Sequence, residues 1–205
     1  MLLPATAVAQ EARPRFAPEE IHRYEREDTP IGDFAADGLI LDLGGGGEGV
    51  ISKMKGMQVV AIDLSERELA DAPGAPLLKI VMDATELKFL GGSFSTLTCF
   101  YTLMFVPVEK QLKVLEEARR VLKPGGRLLV WDVEIPVAPA PEKKVGVFYF
   151  TFQLPGKSVK TGYGTLYREM ARGARQYEEL ARQAGFEVIA RRSEGRSFFL
   201  ELKRG

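Results

Sequence analysis

The sequence predicts an α/β fold: a doubly wound, mostly parallel, seven-stranded Rossmann-like sheet. Helices cover both faces, the last strand is antiparallel, and a β-hairpin is inserted after strand five. Three observations predict it. Short apolar runs alternate with amphipathic segments along residues 39–133, the pattern of βαβ units. The first run ends in consecutive glycines, Gly44 to Gly47. The second ends in an acid, Asp63, about 20 residues beyond the loop's first glycine.

Each element has its own signal. Leu39-Ile40-Leu41-Asp42-Leu43 is short and apolar, as in a strand buried on both faces of a parallel sheet. The glycines then open a short helix, near 47–54. Gln58 to Asp63 is the second strand. Ser65 caps the next helix, with Glu68 three residues on to complete a capping box, and Pro73 stops it. Leu77–Met82 and Phe94–Phe100 are strands three and four. Leu112, Leu115, Val121 and Leu122 mark one face of a helix over 109–122. Lys123-Pro124-Gly125-Gly126 predicts a sharp turn into strand five, Arg127–Val133. A helix over 167–184 ends at Gly185, and two closing strands, Phe186–Arg191 and Ser197–Lys203, are expected to pair antiparallel around Gly195.

Two regions fall outside this rhythm. Residues 1–18 carry Pro4, Pro14 and Pro18 and read as a flexible arm, followed by a short charged helix over 18–28. Ala7-Val8-Ala9 is similar to the small-residue end of a secretory signal, but no basic stretch precedes it and Pro4 interrupts the apolar run. A disordered start is therefore expected over the remnant of an export signal. Pro136, Pro139 and Pro141 make a stiff linker. Beyond it, Val145–Leu154 alternates so that Phe148, Phe150, Phe152 and Leu154 share a face, and Ser158–Tyr163 returns after Pro155-Gly156. This stripe is expected as a lid or a homodimer contact through residues 145–163, in preference to plain core. The division expected is 1–36 as arm and cap helix and 37–205 as the ligand-binding domain, with the insertion at about 135–165.

Composition narrows the function. The chain has 205 residues, 45% of them hydrophobic, with 28 basic and 28 acidic side chains. That balance argues against a nucleic-acid partner. No apolar run is long enough to span a membrane. One cysteine, Cys99, rules out an intrachain disulfide, fits a cytoplasmic setting, and reads as a buried small hydrophobe rather than a nucleophile. One histidine, His22, leaves no His/Cys set for a metal.

Gly44, Gly46 and Gly49 satisfy G-x-G-x-x-G after a strand. Glycines there let the backbone approach a ligand closely. Asp63, at the tip of the next strand, suits ribose hydroxyls, so a nucleoside-bearing cofactor is expected at the switch point of the sheet. The same fingerprint serves NAD enzymes. Asp42, two residues before Gly44, fits a cationic aminoacyl group better than a pyrophosphate.

The order of the motifs carries a resemblance. LILDLGGGGEGVI (39–51), VVAIDLSERELADA (59–72), MDATELKFLGGSFSTLTCFYTLMFV (82–106) and LKPGGRLLVWD (122–132) together resemble class I S-adenosylmethionine (SAM)-dependent methyltransferases, in particular the small-molecule "type 11" family. The resemblance implies SAM as cofactor and S-adenosylhomocysteine (SAH) as product. It implies that Asp42, Gly44 and Gly46, with Leu43 and Gly45 between them, cradle the methionine part. Asp63 would take the ribose, Leu64 the adenine face, Asp83 the adenine amino group and Ala84 the ring edge. Phe100 and Tyr101 would border the sulfonium. His22 and Tyr24, on the expected cap helix, and Tyr101 and Tyr163 are candidate catalytic groups, with Tyr163 and Tyr167 candidates for lining an acceptor pocket. Glu48 departs from the family at the third glycine position, Ser95 replaces a common acid, and Lys88 stands where many relatives have proline.

The function expected is methyl transfer to a small-molecule nucleophile. Methylation of protein or RNA is weakened because Tyr101-Thr102-Leu103-Met104 stands where an Asn-Pro-Pro-Tyr-like tetrapeptide would, and because no basic extension exists. An NAD-dependent oxidoreductase would need a Tyr-x-x-x-Lys pair, which the chain lacks. A SAM-binding protein without transferase activity stays open.

Overall fold

The structure is a computed structural model that describes residues 16–205. The arm and the signal-like Ala7-Val8-Ala9 lie outside the described residues. After a single 3-10 turn at Pro18–Glu20 come two short strands, β1 (Ile21–Arg23) and β2 (Glu27–Pro30). The main sheet uses β3 (Ile40–Leu43), β4 (Val59–Asp63), β5 (Leu78–Val81), β6 (Phe94–Phe100), β7 (Leu122–Val133), β10 (Phe186–Glu194) and β11 (Ser197–Arg204). Helices α1 (Val50–Lys55), α2 (Glu66–Asp71), α3 (Val108–Val121) and α4 (Ala174–Gln183) connect them. The insertion supplies β8 (Val145–Leu154) and β9 (Lys157–Leu166).

The seven main strands run in the order β10-β11-β7-β6-β3-β4-β5. Only β11 runs against its neighbours: it pairs antiparallel with both β7 and β10, while β7, β6, β3, β4 and β5 pair in parallel. The switch point lies between β3 and β6, where the chain changes its winding direction. β3 is buried at all four positions, which explains its lack of polar alternation. Its side chains still divide by face. Leu41 and Leu43 join the core formed with α3 and α4, and Ile40 joins the core on the other face.

That second face is covered by α1, α2 and another sheet. β8 pairs antiparallel with β9, and on its opposite edge β1 and β2 lie end to end, both parallel to it. Phe148, Phe150 and Phe152 point into the space between the sheets and are at most 1% exposed. Phe152 meets Phe100 at 4.9 Å, and Phe150 meets Tyr101 at 5.0 Å. Burial of this kind stabilises by about 2 kcal/mol per ring.

Three expectations need correction. The phenylalanine stripe is plain core, because the hairpin folds its apolar face onto the main sheet. The cap helix over 18–28, expected as part of the 1–36 segment, is two strands, because the free edge of β8 supplies backbone partners for this segment: Ile21 pairs with Val145 and Asp28 with Thr151. The helix over 167–184 begins only at Ala174. Residues before it are drawn into a bridge between Ile135 and Arg172. In addition, Lys123–Gly126 is part of β7, with an irregular register opposite Phe94 and Thr96. No helix among the described residues is long and apolar enough to cross a membrane.

Candidate active site at the glycine loop

β3 and β4 place their acids side by side. Asp42 sits one residue short of the tip of β3, opposite Ala61, and Asp63 ends β4. The chain then turns on Gly44, whose φ of 72° is left-handed. A Cβ there would lie 2.2 Å from the Thr102 hydroxyl, so only glycine fits. Thr102 donates to the Phe100 carbonyl, or to the Leu43 carbonyl, at 3.0 and 3.1 Å. It thereby bridges the tips of β3 and β6 across the switch point.

Both acids are engaged with the loop. Asp63 accepts from the Gly46 amide at 3.3 Å through one oxygen and from the Ser65 amide at 2.9 Å through the other. A Cβ on Gly46 would lie 2.8 Å from that first oxygen. Asp42 is fully buried beneath Gly45 and accepts from the Thr98 hydroxyl at 2.7 Å. Burial pushes its carboxyl up to about 7; the Asp63 charge adds to this and the Thr98 hydrogen bond opposes it. Leu64, next to Asp63, is 71% exposed, an apolar side chain left at the surface beside an acid.

The remaining residues expected at the site take varied places. Asp83 lies just beyond β5. One of its oxygens accepts from the Thr85 amide and hydroxyl, both at 2.8 Å, and the amide bond first among them holds its carboxyl below the usual range. Ala84 is half-buried at the edge of the core. Phe100 and Tyr101 are buried beneath the second sheet, at 8% and 3% exposure. The Tyr101 hydroxyl is tied to Ser197, and burial raises its pKa. Tyr163 stacks on Tyr101 at 5.3 Å and donates to Glu48 at 2.9 Å, so it does reach the loop. His22 and Tyr24 lie on and just after β1. Tyr24 stacks on Phe148, and its hydroxyl pairs with that of Tyr167 at 2.8 Å. Tyr24 also meets His22 edge-on at 4.5 Å and lies under Arg196, and none of these contacts is with the glycine loop. Cys99 is buried, and desolvation raises its thiol pKa.

Three polar partners were not foreseen: Thr98, Thr102 and Asp132. Thr98 faces Asp42 only because β3 and β6 are neighbours, a long-range pairing without local signal. Asp132, fully buried at the end of β7, accepts from the amides of Met104 and Val133 at 3.0 and 2.8 Å. Burial pushes it up to about 7, against those hydrogen bonds. It anchors the turn after β6.

A family model described as a methyltransferase domain matches residues 41–130, the stretch that contains both acids and the loop. This match supports a class I SAM-dependent methyltransferase. The ubiquinone/menaquinone biosynthesis C-methyltransferase of Dinoroseobacter shibae is 27% identical over 172 residues, covering 75% of this chain and 68% of that protein. The demethylmenaquinone methyltransferase of Lactococcus lactis is 33% identical over 153 residues, covering 67% of this chain and 59% of the relative. The crystal structure of a SAM-dependent methyltransferase from Methanosarcina mazei superposes with a TM-score of 0.56 at 18% identity, over 83% of this chain and 94% of that one.

The methyltransferase's own residues fit the cofactor of its family. A sulfonium-bearing nucleoside needs a close backbone, carboxylates and an apolar face for its base. The glycine loop, Asp42 and Asp63, and the exposed Leu64 offer these at one end of two adjacent strands.

Proposed function

We propose that this methyltransferase binds SAM across the tips of β3 and β4 and passes its methyl group to a small-molecule nucleophile. The observation that carries the reading is the pair of carboxylates, Asp42 and Asp63, flanking a bend in which Gly44, Gly45 and Gly46 have no room for a side chain. On this reading Asp63 takes the ribose hydroxyls and Leu64 lies against the adenine. Gly44 and Gly46 let the backbone approach the methionine part, and the Asp42 carboxyl lies beneath it. Asp83 and Ala84 border the base. When bound, SAM supplies an activated methyl on a charged sulfur, so the protein's part is alignment, which alone can lower a barrier by several kcal/mol. Tyr163, stacked on the buried Tyr101, and the half-exposed Phe105 form an aromatic wall at that end of the site.

A small-molecule acceptor is supported by the names of the quinone-methylating relatives, and the aromatic wall suits a flat ring. The test has two stages. Thermal stabilisation by SAM and SAH, growing with the logarithm of concentration, is expected, with none from NAD; stabilisation by NAD alone would overturn the reading. A methyl-release screen across quinols, phenols, thiols and amines then identifies the acceptor class.

A further inference from the structure

Glu48 stands where the spacing of Gly44 and Gly46 would place another glycine. Its main chain stays with the loop, where its carbonyl accepts from the Lys53 ammonium at 2.7 Å. Its side chain reaches the other way, to the hairpin. One carboxylate oxygen accepts from the Tyr163 hydroxyl at 2.9 Å and the other from the Thr161 hydroxyl. Tyr163 in turn stacks on Tyr101 at 5.3 Å, with Phe105 edge-on at 6.0 Å. The carboxylate thus ties the loop that follows β3 to the hairpin, whose Tyr163 stacks in turn on the ring that follows β6. Both groups that orient it are neutral hydroxyls, which fix its position without cancelling its charge. Lys53, which feels that charge, directs its ammonium to the main chain instead.

We propose that Glu48 is a charge-selectivity residue: its carboxylate, aimed by Thr161 and Tyr163, favours the sulfonium of SAM over the neutral thioether of SAH. The two ligands differ by one methyl and one positive charge at the same atom. A fixed anion beside the loop attracts the charged form and has no such attraction for the product. Selectivity of this kind weakens product binding relative to substrate and so helps turnover. The inference rests on the proposed seat of the cofactor at the glycine loop.

The experiment measures dissociation constants by calorimetry for SAM, SAH and an analogue carrying an ammonium in place of the sulfonium. It compares the wild type with E48Q and E48D. E48Q is expected to weaken SAM and the ammonium analogue by about fivefold to tenfold, as for loss of one partly exposed charge contact, with SAH changed less than about twofold. E48D, which keeps the charge and shortens the reach, should restore part of the preference. An equal loss for all three ligands would make Glu48 a structural tie and overturn the proposal, as would an unchanged SAM-to-SAH ratio with binding intact. If E48Q does not fold, E48D and Tyr163→Phe carry the test. Tyr163→Phe releases the carboxylate from one of its two guides, and an unaltered ratio in both variants overturns the proposal. Failure of all three ligands to bind the wild type would instead remove the cofactor seat itself.

Discussion

Strands β3 and β4 and strands β8 and β9 meet at the same end of the molecule, yet they bring opposite chemistry to it. β3 and β4 end in carboxylates and a bend without side chains. β8 and β9 bring phenylalanines, tyrosines and hydroxyls. In the first pair, function depends on a few polar atoms placed by backbone geometry, with little apolar area at stake. In the second, three rings are nearly fully buried and bind the insertion to the sheet. The difference teaches that the floor of the cleft and its roof separate two tasks. Lesions in the floor should affect ligands, and lesions in the roof should affect stability.

The largest expected effect breaks the roof. Phe150 is 1% exposed and touches Tyr101, Phe152 and Tyr163. Phe150→Ala should cost about 4 kcal/mol of folding free energy, through lost transfer energy and the cavity left behind. Urea denaturation checks this. A loss under about 1 kcal/mol would show that the hairpin packs loosely on the sheet.

Next comes pH, which acts on the floor. Asp42 and Asp132 both have folded-state pKa values raised from 3.8 to about 7. A raised pKa means that the folded state holds the proton more tightly than the unfolded state. Their contribution is therefore fully present below the unfolded value and is lost as pH rises through about 7. Stability should fall from about pH 4 to about pH 7, the interval between the unfolded and folded values, and level off above it. Asp42→Asn should flatten part of that fall, because the amide oxygen can still accept from Thr98. A pH–stability curve for Asp42→Asn parallel to the wild type would show that the acid ionises freely in place.

Asp63→Ala is smaller in stability but decisive for ligand. It removes the acceptor for the Gly46 and Ser65 amides and the group proposed for the ribose. SAM affinity should fall by about 100-fold, read as loss of its thermal shift, while the ligand-free protein melts within a few degrees of the wild type. A retained shift would take Asp63 out of the seat.

The floor was legible in the sequence and the roof was not, for a physical reason. Asp42, the glycines, Asp63 and Ser65 are close in the chain as well as in space, and their patterns are local. The alternation of Val145–Leu154 gave a strand and a shared face. Whether that face met solvent, a partner or the chain's own sheet depended on contacts such as Phe150 with Tyr101, far apart in sequence. The segment around Ile21–Arg23 was misread for the same cause. Its charged residues look helical in isolation, and only the distant edge of β8 makes them strands. Glu48 stood out in the sequence as a departure, but its partners Thr161 and Tyr163 came only with the fold.

The smallest effect sharpens the comparison from within the floor. α2 has six residues, too few to hold as a helix without help. Its help is local: the Ser65 hydroxyl accepts from the Glu68 amide at 3.2 Å. Ser65→Ala removes that cap and should cost about 1 kcal/mol in stability. The Ser65 amide that binds Asp63 is untouched, because it belongs to the main chain. SAM affinity should therefore change by less than about threefold, in contrast to Asp63→Ala. A larger loss of affinity from Ser65→Ala would mean that the helix, and not the strand tip, sets the position of the acid.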